Sequence, residues 1–142
     1  MRRIFLAILL FSVLGGVGPS IGQSQTQTQT VDRAVKALPN KDTQIGLYVN
    51  VLADCSSGPL PTIRLVSPPN SGKVVVRAVK VKLTNYKACL ALEVPAYVAF
   101  YKSVPDFLGN DVLIIEVRYP EGRTEIQKIT VNVSGVGAQQ KI

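Results

Sequence analysis

Two sets of side chains in this chain carry groups whose type and spacing could do chemistry: one pair of cysteines and one short run of lysines. Cys55 and Cys89 are the only cysteines among 142 residues, and histidine is absent. Two isolated thiols without histidine cannot complete the four-ligand shell of an ordinary zinc site, and no CxxC redox pair is present. In an oxidising compartment their expected product is a structural disulfide. Closing that loop stabilises a fold by roughly 3–4 kcal/mol in the chain-entropy picture, less any strain.

The absence of histidine also removes the commonest general base and the usual partner of a nucleophilic serine or cysteine. The carboxylates Asp54, Glu93, Asp106, Asp111, Glu116, Glu121 and Glu125 are scattered over turns and outward strand positions. No spacing among them demands acid–base work, although residues distant in sequence can meet in space. Glycine-rich phosphate loops and runs of metal ligands are missing as well. The expectation is a non-catalytic protein with no cofactor and no metal.

The lysine run is a stronger candidate for binding. Lys80 and Lys82 fall on the same side of an extended strand, opposite Val79, Val81 and Leu83, with Tyr86 and Lys87 at the turn that follows. Such a face suits an anionic glycan or a lipid headgroup. Its plainer reading is that lysines protect an exposed edge strand from pairing with another chain. A second candidate surface is the Gly/Pro-rich loop from Cys55 to Pro61, which the disulfide would hold against the Cys89 segment.

The elements that position these groups follow from the pattern of the chain. Arg2 and Arg3 precede an almost continuously apolar stretch from Ile4 to Val17, and Ser20-Ile21-Gly22 places small residues before Gln23. This is the layout of a secretory signal peptide over 1–22, cleaved before Gln23. The apolar run is short for a membrane span, so no transmembrane anchor is expected after cleavage. The protein is therefore read as periplasmic or secreted. The whole chain carries 16 Lys+Arg against 9 Asp+Glu, and loss of Arg2 and Arg3 leaves 14 against 9. Outside the cytoplasm such a balance favours anionic glycan or lipid, or an unknown protein partner, and not nucleic acid.

Residues 23–43 read as a disordered polar leader, because QSQTQTQT has no apolar periodicity. Val31, Val35 and Leu38 sit at helical spacing, which allows one short helix before Pro39. From residue 44 onward the apolar period is two. One alternating set is Ile45, Leu47, Val49 and Val51, and another is Ile63 and Leu65. Val74 and Val76 are out of phase with Val79, Val81 and Leu83, which predicts a bulge or corner near Arg77-Ala78. Further sets are Tyr97, Ala99 and Tyr101; Leu113, Ile115, Val117 and Tyr119; and Ile129, Val131 and Val133, with Ile126 out of phase. Turn signals separate these runs, among them Pro68-Pro69-Asn70-Ser71-Gly72 and Pro120-Glu121-Gly122. No helical crossover segment is available, so the sheets should be mostly antiparallel. The sequence thus predicts an all-β, immunoglobulin-like antiparallel two-sheet sandwich of about seven strands over 44–134, with one disulfide and a flexible tail over 135–142.

Pro69-Asn70-Ser71-Gly72-Lys73-Val74 resembles the P-x-x-G-x-V turn and strand of bacterial Ig-like and cadherin-like surface repeats. Tyr101 followed by Phe107-Leu108-Gly109-Asn110-Asp111 and the strand to Tyr119 resembles the Y…F-x-G-x-D…V segment of the same repeats. The likeness covers roughly 68–133. It departs at Pro105, in the long stretch from Val74 to Tyr101 that holds Cys89, and in standing alone. The resemblance implies a sandwich used for adhesion, display or structure, without catalysis. Its aspartate position sometimes helps to bind calcium, but Asp106 and Asp111 supply too few oxygens for such a site. Read from the residues themselves, Gly109 relieves a tight loop, Phe107 plugs the core, and Asp111 accepts local backbone N–H bonds. The functional expectation is an exported binding module for another cell-envelope component, or a structural one. The alternative is a small secreted inhibitor or accessory factor that grips a protein through its loops.

Overall fold

Alternating valine, isoleucine and leucine over Gly109–Arg118 and Thr124–Val133 builds the centre of the molecule, an antiparallel pair in continuous register from Gly109↔Val133 to Arg118↔Thr124. In the computed structural model, which describes residues 15–23 and 26–135, seven strands form two sheets and no helix is present among them. The strands are β1 Thr28–Ala37, β2 Thr43–Tyr48, β3 Thr62–Ser67, β4 Gly72–Tyr86, β5 Cys89–Ser103, β6 Gly109–Arg118 and β7 Thr124–Val133. One sheet has the order β1-β7-β6-β3 and the other β2-β5-β4. Residues 1–14, most of the segment read from sequence as a signal peptide, and the tail from residue 136 lie outside the described residues.

The core lies between the sheets. Leu113, Ile115 and Val117 from β6 and Ile129, Val131 and Val133 from β7 meet Ile45, Tyr48, Ala99 and Tyr101 from the opposite sheet. Each of these is almost wholly removed from water, and burial on this scale is the main favourable term of the fold. Phe107 packs against the cluster, as its place before Gly109 suggested, and Gly109 adopts a φ of 128°. Gly122, with a φ of 101°, closes the β6–β7 hairpin through bonds from Gly122 N–H to the Tyr119 carbonyl and from Tyr119 N–H to the Arg123 carbonyl.

Four sequence expectations are corrected. The first concerns the leader, part of which is strand β1, paired in parallel with β7 from Thr28↔Thr124 to Ala37↔Val133. The helical spacing of Val31 and Val35 is the inward side of this strand, which Arg33 interrupts between them. Polar threonine and glutamine suit an exposed edge strand whose stability comes from the ladder more than from burial. The domain therefore begins near residue 28, not 44. The sheets are antiparallel except for this pair, which needs no crossover helix because β1 and β7 are the first and last strands.

The second correction is in β2. A bulge between Gln44 and Gly46 shifts the phase, so Ile45 and Tyr48 both point inward while Leu47 is left 40% exposed. The third is the bulge expected near Arg77-Ala78, which does not occur. β4 and β5 stay in unbroken register from Gly72↔Ser103 to Thr84↔Ala91. The slip in apolar phase reflects a change of environment along a straight ladder. Val74, opposite Tyr101, points into the core, but past Val76 and Ala78 the hairpin outruns the shorter facing strands. Valines at 79 and 81 then occupy the outer side of the same ladder, with Ala96 and Val94 beside them.

The fourth correction concerns Asp111, whose bonds are not local. Buried on β6, it accepts the N–H of Asn70 at 2.9 Å, the N–H of Ser71 at 2.9 Å and the Tyr101 hydroxyl at 2.8 Å. One carboxylate thus ties the β3–β4 turn to β5 and β6, latching one sheet to the other. Every oxygen that burial removes from water is given a donor, which is what a buried carboxylate requires. Burial first, and the bond to Asp111 second, raise the Tyr101 hydroxyl well above the ordinary tyrosine range.

Candidate binding site at the disulfide-pinned end

Cys55 and Cys89 form the expected disulfide, with Cα atoms 5.8 Å apart. It fastens the β2–β3 loop to the tip of the β4–β5 hairpin. The loop folds back on itself through short backbone bonds: Leu52 N–H to the Ser56 carbonyl at 2.8 Å, Cys55 N–H to Leu52 at 3.0 Å, and Gly58 N–H to Asn50 at 2.8 Å. The Asn50 side-chain amide donates to the Pro59 carbonyl, and Asp54 accepts from the backbone and hydroxyl of Ser56. Those bonds from Ser56 hold the exposed Asp54 carboxyl below its usual range. Cys55 itself sits at a φ of 67°, in the left-handed region that non-glycine residues seldom enter. Pro61, fully buried, ends the loop against the core.

The hairpin tip is equally constrained. Tyr86 pairs with Cys89 across a two-residue turn in which Lys87 has a φ of 53°, and the Lys87 ammonium lies 5.5 Å from the centre of the Tyr86 ring. Facing this tip is the β6–β7 turn, where the Arg123 guanidinium stacks 3.8 Å from the Tyr119 ring centre. Arg123 also bridges Glu121 at 3.3 Å and Glu125 at 3.4 Å. Desolvation raises the Tyr119 hydroxyl above its ordinary value.

Together these parts enclose an open groove of about 430 Å³. Its walls are Val49 to Ala53 of the pinned loop, Tyr86 and Lys87 of the hairpin tip, Tyr119, Glu121 and Arg123 of the last turn, and Leu47 of β2. Leu47, Val49, Val51 and Leu52 share the lining with Asn50, Lys87, Glu121 and Arg123, so the groove presents more polar than apolar surface, with the Tyr86 and Tyr119 rings beside it. The groove borders both candidate surfaces of the sequence analysis, although none of its lining residues belongs to the loop from Cys55 to Pro61.

The lysine run reaches it only in part. Tyr86 and Lys87 line the groove, whereas Lys80 and Lys82 do not. The two lysines share one side of the ladder, as alternation required, and both are exposed. Lys80 faces Pro95 and Lys82 faces Glu93, so one of these two lysines sits opposite an acidic residue. β4 is an edge strand, the position in which lysines discourage pairing with another chain. Tyr119 and Arg123 were not singled out by sequence. Arg123 follows Gly122 in a hairpin turn, where a charged residue is ordinary, and only the packing of the two ends brings it opposite Tyr86.

Two further carboxylates, Glu116 and Asp42, are engaged with other parts of the fold. Glu116, nearly buried on β6, takes Arg64 Nε at 3.2 Å and Arg118 Nε at 2.9 Å. The Arg64 hydrogen bond, with Arg118 beside it, holds that carboxyl below its ordinary value. Asp42 pairs with Arg77 at 3.5 Å. Among the described residues no three His, Cys, Asp or Glu side chains cluster as metal ligands would. The chain matches no known family, no curated protein and no solved structure.

Proposed function

We propose that the chain is an exported, non-catalytic immunoglobulin-like module that binds another component of the cell envelope at its disulfide-pinned end. The observation that carries this reading is the groove itself. A disulfide, two left-handed residues and a cation–aromatic stack stiffen three separate segments around a hollow that mixes apolar, aromatic and charged groups. Preorganised loops at one end of a sandwich bind without a large ordering cost.

The strand order supports the immunoglobulin-like assignment. The second, fifth and fourth strands share one sheet and the third, sixth and seventh the other, the partition found in immunoglobulin constant domains. The first strand differs in joining the second group. The two parts of the resemblance to bacterial surface repeats meet at one atom group, since Asn70 and Ser71 of the first bond Asp111 of the second. A disulfide accords with an oxidising compartment, and with the signal-like N-terminus it supports export. The engagement of Glu116, Asp111, Asp42, Glu121 and Glu125 with arginine or backbone partners supports a role without acid–base chemistry.

A specific observation favours a protein partner over a purely charged surface. Leu52 at the groove is 45% exposed and Leu90, next to Cys89, is 81% exposed. Exposed leucines beside a rigid groove suit apolar contact with a protein, the secreted inhibitor or accessory class of binder. The test is capture from an envelope extract by the oxidised chain from Gln23, washed at low and high salt. A single protein retained at high salt supports this reading, since apolar contact is little screened. Retention that vanishes with salt replaces it with an anionic-surface reading, and no retention at either salt leaves a structural module.

A further inference from the structure

The other end of the β4–β5 ladder holds an arrangement that stability alone disfavours. Lys73 and Lys102 lie directly opposite each other in the β4–β5 register, both exposed, on the outer side of the sheet. Like charges placed directly across a ladder repel. Neither lysine joins an ion pair among the described residues.

The next pair inward on the same face of the ladder is Val75 opposite Phe100, and one further along that face, Arg77 sets its guanidinium 5.0 Å from the centre of the Phe100 ring. Lys73, Val75, Phe100 and Lys102 form the wall of a hollow of about 490 Å³ whose rim carries Asn40, Asp42 and Asn70. It lies roughly 40 Å along the ladder from the hairpin tip at the usual strand rise. It is therefore independent of whatever the disulfide-pinned groove takes.

We propose that this hollow is a binding site for a carboxylate-bearing sugar, such as a uronic-acid unit of an acidic polysaccharide. Lys73 and Lys102 hold the carboxylate between them, which turns their mutual repulsion into attraction for a shared anion. Val75 and the Phe100 ring edge give the sugar an apolar floor, and Asn40, Asn70 and Asp42 offer partners to its hydroxyls. Asp42 also decides between anions. Its carboxylate, at the rim and only partly neutralised by Arg77, is compatible with a monoanion that carries hydroxyl donors and repels a phosphate dianion.

The test is calorimetric titration of the oxidised protein with trigalacturonic acid at low salt. Galactotriose serves as the uncharged control and inorganic phosphate as the competing anion. The expected result is saturable binding of the acidic trimer alone. Lys73→Gln and Lys102→Gln should each weaken it about tenfold, the loss of one charge-assisted contact. Lys80→Gln with Lys82→Gln should leave it unchanged. The ligand-free Lys102→Gln protein should melt no lower than wild type, because a repulsion has been removed. The proposal is overturned if the acidic trimer does not saturate, if phosphate binds as tightly, or if both lysine pairs weaken binding equally. A marked fall in melting temperature on Lys102→Gln would also overturn it by making the pair structural.

Discussion

Replacing Asp111 by asparagine keeps the shape of the side chain and changes one acceptor into a donor. In wild type one carboxylate oxygen takes Asn70 N–H and the other takes both Ser71 N–H and the Tyr101 hydroxyl. With an amide, whichever way it turns, one of the two backbone N–H groups faces an NH₂ and loses its partner. The Tyr101 hydroxyl can rotate to accept, but the backbone cannot. An orphaned buried donor costs about 1–3 kcal/mol, and the surviving bonds lose their charge assistance. The expected loss is about 2–4 kcal/mol, a large part of the 5–15 kcal/mol typical of a domain. Urea unfolding of the oxidised protein, followed by circular dichroism, reads this as a lower midpoint at unchanged slope. Tyr101→Phe removes only the hydroxyl bond and should cost about 1–2 kcal/mol. The double variant should cost less than the sum, because the two groups share one interaction. If Asp111→Asn unfolds within about 0.5 kcal/mol of wild type, an effect no larger than an ordinary surface change, the latch between the sheets does not exist as argued.

Other outcomes follow from the same contacts. Cys55→Ser with Cys89→Ser should lower stability by roughly 3–4 kcal/mol in the chain-entropy picture for its 34-residue separation, and speed hydrogen exchange first in the loop over 49–58. Burial pushes the Tyr48 hydroxyl up to about 12, and its proton is held by a folded state in which it donates to Gln127 at 2.8 Å. A folded value raised above the unfolded 10.0 means this stability is complete below about pH 10 and is lost as pH rises through about 12. Tyr48→Phe should flatten that alkaline limb in a pH series of melting temperatures. At the acid end the sign reverses for Glu116. Its folded value lies below the unfolded 4.5, so its contribution is present above that pH and fades as pH falls through the folded value. Glu116→Gln should therefore weaken the acid dependence of the melting temperature. Truncation to residue 44 removes β1, uncovers the edge of β7 and should yield an aggregating or unfolded product by size-exclusion chromatography.

Much of this fold could be read from period-two patterning wherever strands are flanked on one face by core. β6 and β7 alternate almost without fault, and the turns at Pro120-Glu121-Gly122 and Pro68 to Gly72 carry residues that demand those turns. What patterning missed has physical reasons. Edge strand β1 buries little, so its threonines and glutamines gave no apolar signal and Arg33 broke what alternation there was. A bulge at Gln44 to Gly46 moved Tyr48 inward and Leu47 outward, and no residue there announces it. The phase slip in β4 came from a strand that outlives its facing sheet, a property of the neighbours' lengths. The candidate site was half legible: Cys55, Cys89, Tyr86 and Lys87 stood out by type and spacing. Tyr119 and Arg123 reach the same groove only through contacts between segments far apart in sequence, as do the bonds from Asn70 and Ser71 to Asp111.

The claim that the disulfide-pinned end is the binding surface is tested most directly by repeating the envelope capture with a Tyr86→Ala, Arg123→Ala protein. Neither side chain is in the buried core, so the variant's circular dichroism spectrum should match wild type. The account predicts that a component retained by wild type at high salt is released by this variant and still held by Lys80→Gln, Lys82→Gln. Equal retention by wild type and the groove variant would place the binding surface elsewhere on the domain and contradict the account.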